Sequence, residues 1–139
     1  MTVRENLEMG AYLRKDKDGI AQDVEAMFER FPVLRRKQEE LSSEQQMLVI
    51  ARALMSRPKL LLMDEPAQGL SPLLVDEVAK IITSINQTGI TIMLVEHNLQ
   101  LGLGLAHWVY VLESGKIAFK AKATDLSEVK YAKKIYLGG

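Results

Sequence analysis

Leu60-Leu61-Leu62-Met63-Asp64-Glu65-Pro66 is the stretch on which the fold of this chain turns. A short continuous apolar run between Lys59 and Asp64 has the pattern of a strand covered on both faces. It delivers two carboxylates to its own end. Downstream, Ser71 is placed to cap a helix with Pro72 in its first turn, where a missing N–H costs nothing. Leu74, Val78, Ile81, Ile82 and Ile85 give that helix one apolar face, and Gly89 is a natural stop. Ile90 to Val95 then reads as a second buried strand. Strand, helix, strand is a crossover unit, which places two parallel strands in one sheet.

Further toward the C-terminus, Leu99 to Ala106 is expected to be helical, although Gly102 and Gly104 each cost about 1 kcal/mol against alanine. Val109 to Leu112 and Lys116 to Phe119 flank Glu113-Ser114-Gly115 and read as a hairpin. Asp125 to Tyr136 is expected to form a closing helix. Toward the N-terminus the texture is helical. Thr2 and Glu5 fit a capping box. Asp16 to Gly19 reads as a polar turn. Val24, Met27, Phe28 and Phe31 recur at the spacing of one helix face, ended by Phe31-Pro32. Ser42-Ser43-Glu44-Gln45 matches the capping-box pattern again, followed by an apolar stripe of Met47, Ile50, Ala51 and Leu54 that is expected to stop before Pro58. The organisation that follows is a helical subdomain over 1–57 and an α/β portion over 58–139.

The composition bounds the chemistry. The chain has 139 residues, 47% of them hydrophobic and 26% charged, the profile of one soluble globular domain. Eighteen basic residues balance eighteen acidic ones, so no overall field draws the chain to nucleic acid or anionic lipid, and no nucleic-acid partner is expected. The absence of cysteine removes disulfides, thiolate metal sites and thiol catalysis together. No apolar stretch approaches the roughly 18 residues of a membrane helix. The expected location is cytoplasmic, on a membrane only through a partner.

Three places can carry chemistry. In open parallel sheets the ligand crevice lies at the carboxyl ends of the strands. There, Asp64 suits a Mg²⁺ ion, held directly or through water, and Glu65 suits the polarising of an attacking water. Alone, the two carboxylates read equally well as the surface end of a strand. The second strand ends in Glu96-His97, and parallel pairing would bring His97 to the same sheet edge, where an imidazole can hydrogen-bond a terminal phosphate or the attacking water. Alone, His97 reads as a solvated loop residue. The helix start at Ser42, Ser43, Glu44 and Gln45 offers free N–H groups and hydroxyls to an anion. Alone, it reads as a cap.

In this order the three elements resemble the ABC ATPase family, over essentially the whole chain. Leu41 to Gln46 resembles the family signature, Leu60 to Glu65 its Walker B strand, Gly69-Leu70-Ser71-Pro72 its D-loop, and His97 its switch histidine. The runs Met1 to Leu7, Glu44 to Leu48 continued by Ile50 to Met55, and Tyr136 to Gly139 resemble the ATPases of branched-chain amino acid importers. The resemblance implies a partial P-loop NTPase fold. It also implies ATP and Mg²⁺ as cofactors of the complete domain, a pair of membrane permease subunits as partners, and a second ATPase subunit that shares the nucleotide.

Two departures accompany the match. No Gly-x-x-x-x-Gly-Lys-[Ser/Thr] occurs: the only Gly-Lys pair, Gly115-Lys116, is followed by Ile117 and has Tyr110 where the first glycine belongs. The loop that wraps the β-phosphate is therefore missing from the sequence. Met1 accordingly resembles an internal methionine of the family. The signature is one residue short, with Ser43 where the family has two glycines, and a side chain there is expected to weaken backbone approach to a phosphate. The expected function is an ATP-binding and ATP-hydrolysing transporter subunit, here a portion inactive alone and prone to self-association. The alternative is a non-catalytic module that docks on a permease or partner ATPase.

Overall fold

Elements form where the sequence periodicity puts them, with two instructive exceptions. The computed structural model describes residues 1–36, 42–125, 130, 131 and 134, with the backbone alone at 36 and 42–44. The elements run α1 (Val3–Gly10), α2 (Lys17–Arg30), α3 (Val33–Arg36), α4 (Ser42–Leu54), β1 (Leu60–Asp64), α5 (Pro72–Gln87), β2 (Thr91–Val95), α6 (Leu99–Leu105), β3 (Trp108–Glu113) and β4 (Lys116–Lys122). The helix expected over 125–136 and the closing Tyr136 to Gly139 lie largely outside the described residues. The chain divides into two compact units, Met1–Met93 and Leu94–Gly139.

In the first unit, α1 opens with the capping box read from the sequence. The Glu5 N–H donates to Thr2 Oγ1 at 3.2 Å, and the Thr2 N–H donates to Glu5 Oε2 at 2.6 Å. Leu7, Val24, Phe28, Phe31, Leu34, Met47, Ile50, Ala51, Leu54 and Met55 are buried and form the helical core. α1 packs on α4 at very short range: a Cβ at Gly10 would stand 2.0 Å from the Arg52 carbonyl oxygen. Only glycine permits that approach.

The first exception is the polar turn expected at Asp16 to Gly19. The structure instead starts α2 at Lys17, so Asp18 and Gly19 lie inside the helix. Asp16 occupies the N-cap position but makes no capping hydrogen bond, because its carboxylate is engaged by Arg14. Arg14 also donates to Asp23 and, at 2.8 Å, to the Met55 carbonyl, while Arg57 Nε donates to Asp23 Oδ2 at 2.8 Å. Hydrogen bonds from Arg14 hold the Asp16 carboxyl down at about 2. Those from Arg57 and then Arg14 hold Asp23 below the ordinary carboxylate range. These charges tie the turn after α1, the helix α2 and the end of α4 together.

The second exception concerns the strands. β1 and β2 pair side by side in a two-stranded parallel sheet, as the crossover pattern requires. Both were expected to be covered on two faces. In β1 only Leu61 and Met63 are buried while Leu60 and Leu62 are exposed, and in β2 Met93 and Val95 are exposed. An apolar run fixes what a strand tolerates on each face, whereas coverage depends on which elements pack there. Among the described residues, one face of β1 is covered.

In the second unit, α6 is capped by Asn98, whose Oδ1 accepts from the Leu101 N–H at 3.0 Å. β3 and β4 form the expected antiparallel hairpin, with Trp108 opposite Lys122, Tyr110 opposite Lys120 and an irregularity between Val111 and Leu112. Ser114 and Gly115 both have positive φ (49° and 75°), the two-residue turn that matches strand twist.

Candidate functional site

Strand parity decides what β1 delivers. Leu60, Leu62 and Asp64 share the exposed face, and Leu61 and Met63 share the buried one. Asp64 therefore ends the strand exposed. By the same alternation Glu65 would point its carboxylate to the apolar, buried side. It does not continue the strand: its φ is +47°, in the left-handed region, and the residue is only half-buried. The chain then turns tightly. The Gln68 N–H donates to the Glu65 carbonyl at 3.0 Å, Pro66 inside the turn is fully buried, and Ala67 is buried behind it. Gly69, with φ +74°, reverses the chain in open space, and Ser71-Pro72 starts α5. Ser71 stands at the N-cap as expected, but its hydroxyl makes no capping bond.

Asp64 and Glu65 thus lie on consecutive residues at the carboxyl end of β1. Among the described residues no cluster of three or more His, Cys, Asp or Glu side chains is placed to hold a metal ion. The donors present are hard carboxylate oxygens, one or two of them, which is the protein's usual share for Mg²⁺ when phosphate oxygens and water complete the octahedron. Asp64, exposed at the end of the strand, is a donor of that kind.

His97 belongs to the second unit, two residues beyond the end of β2, and is exposed. At the signature, α4 begins at Ser42, so the backbone N–H groups of its first turn lie on Ser42 to Gln45. Gln45 is exposed; Leu41 and the side chains of Ser42, Ser43 and Glu44 lie outside the described residues. The left-handed backbone of Glu65 escaped the sequence reading: Pro66 after it disfavours the right-handed α region, but a residue before proline ordinarily goes to extended backbone instead.

Comparison with known proteins bears on the family and the fold. The family model for ABC transporters matches residues 1–68. The chain is 41% identical over its whole length to the high-affinity branched-chain amino acid transport ATP-binding protein BraG of Pseudomonas aeruginosa, covering 61% of that protein. It is 36% identical over 99% of its length to the probable branched-chain amino acid transport ATP-binding protein LivF of Archaeoglobus fulgidus, again covering 61% of it. Among solved structures it is similar to MJ1267, an ATP-binding cassette of an ABC transporter, with a TM-score of 0.82 at 25% identity, over 99% of this chain and 62% of that one. The fold is a partial ABC ATPase cassette. The chain resembles the ABC transporter family, and within it the ATP-binding proteins of branched-chain amino acid transport. It spans about three fifths of the length of these curated relatives.

Proposed function

We propose that this chain is part of the ATP-hydrolysing subunit of a branched-chain amino acid importer. The observation that carries the reading is the delivery of Asp64 and Glu65 at the end of β1, in a chain similar over its whole length to two branched-chain amino acid transport ATP-binding proteins. When bound, Mg²⁺ would neutralise phosphate charge, and Asp64 would hold it. Glu65 polarises the attacking water, and His97 hydrogen-bonds the terminal phosphate or that water. The start of α4, Ser42 to Gln45, offers its N–H groups to the phosphates of a nucleotide carried by a second ATPase subunit. Permease subunits hold the protein at the cytoplasmic face of the membrane; among the described residues no helix is long and apolar enough to cross one.

The sequence contains no phosphate loop, and in this reading the 139 residues alone bind ATP weakly and do not turn it over. Calorimetric titration with Mg-ATP tests this. The expected result is no saturation at micromolar nucleotide, and low-micromolar binding would reveal a nucleotide site elsewhere in the chain. The missing loop and the serine in the signature also favour a second reading, a non-catalytic module that docks on a permease or a partner ATPase. A longer reading frame that encodes a phosphate loop separates the two in favour of the first.

A further inference from the structure

Pro66 stands out in the turn after β1. It is among the fully buried side chains of the molecule, yet it directly follows the half-buried Glu65 and stands two residues before the exposed Gln68. Its neighbour Glu65 occupies a left-handed conformation that carries a steric cost for any residue with a Cβ. Such conformations persist where the surroundings over-determine them. Two constraints meet here. The ring of Pro66 disfavours the right-handed α region at Glu65, and a continued extended conformation would send the Glu65 carboxylate to the buried apolar face of Leu61 and Met63, where a charge is costly to desolvate. The chain must also turn within three residues, because the Gln68 N–H reaches the Glu65 carbonyl. With the right-handed region disfavoured and the extended region unfavourable, the left-handed region is the one Glu65 adopts.

We propose that Pro66 is a positioning residue whose buried ring locks Glu65 in the left-handed backbone conformation and so sets the direction in which its carboxylate leaves β1. The proposal deepens the reading of Glu65 as the water-polarising group and rests on it for its functional meaning. Its physical content is separate, because the lock is measurable without nucleotide.

The test uses this chain. In a left-handed position glycine is free of the cost that alanine bears, so the thermal midpoint of Glu65→Gly is expected to exceed that of Glu65→Ala by roughly 2 to 6 °C. At an ordinary exposed position the order is reversed. The same pair made in a Pro66→Ala background is expected to lose that gap, since Glu65 can then relax. The one-bond Cα–Hα coupling of Glu65, which distinguishes positive from negative φ, is expected to shift from the positive-φ value in the parent to the negative-φ value in Pro66→Ala. Pro66→Val, which keeps apolar volume and opens the ring, gives the same readouts if the alanine variant does not fold. A glycine midpoint no higher than alanine's, or a gap and coupling unchanged by loss of the ring, overturns the proposal. Either result leaves the role of Glu65 in turnover to be judged by its own substitution.

Discussion

At the scale of single residues, the two carboxylates that matter most do opposite things. In the proposed function Glu65 serves chemistry: in a longer protein that includes a phosphate loop, Glu65→Gln keeps shape and loses charge, and steady-state ATP turnover is expected to fall roughly 10²- to 10⁴-fold with nucleotide affinity largely kept. Turnover within about threefold of the parent would remove Glu65 from the role. Asp23 is placed for structure, accepting from Arg14 and Arg57. Its carboxyl and that of Asp16 are held below their unfolded values, so the stability they contribute is present above about pH 4 and is lost as pH falls below it, for Asp16 toward about 2. The thermal midpoint is therefore expected to drop over that window. Asp23→Asn should lower stability at neutral pH by on the order of 1 to 2 kcal/mol, and flatten the acid limb of the pH profile. An unchanged acid limb would assign the loss to other carboxylates.

Among the elements, the contact of α1 with α4 is the least forgiving. With a Cβ at residue 10 only 2.0 Å from the Arg52 carbonyl, Gly10→Ala must push two backbones apart. A loss of about 1 to 3 kcal/mol is expected in denaturant unfolding, despite the better helix propensity of alanine. A neutral or stabilising result would mean that α1 can slide on α4. The sequence made the elements legible wherever their cause was local: the Thr2–Glu5 box, the Phe31-Pro32 stop, the crossover around α5 and the Ser114-Gly115 turn all follow from short-range chemistry. It failed where the cause lay far along the chain. Asp16 to Gly19 reads as a turn by composition, and becomes a helix start in a charge cluster that includes Arg57, some forty residues away. Leu60 to Met63 shows that a strand tolerates apolar cover on both faces and says nothing about which elements provide it. For the candidate site, Asp64 and Glu65 were legible as the end of an apolar run. The sign of φ at Glu65 was not, since it depends on the burial of Pro66.

For the molecule as a whole, each unit carries exposed apolar side chains on its strands: Leu60 and Leu62 in the first, and Trp108, Tyr110, Leu112 and Ile117 in the second. Exposed strand surfaces of this kind promote association. Light scattering over a concentration series is expected to give masses above the 15.6 kDa of one chain. Leu62→Lys, which puts a charge on an exposed β1 position, is expected to shift the onset to higher concentration. A single-chain mass at high micromolar concentration, with cooperative unfolding, would show that these surfaces do not drive assembly.

The helical core described above draws all its side chains from Leu7 to Met55, with Met55 accepting the Arg14 bond that fastens its last turn. That has a consequence for biosynthesis. At a translation rate of roughly 5 to 20 residues per second, the stretch from Met55 to the carboxylates at the end of β1 takes roughly 0.5 to 2 s to be made. Helical packing of this size forms in far less time than that. On the ribosome, then, helices α1 to α4 have time to settle against one another in the interval before β1, and the carboxylates at its end, follow them out.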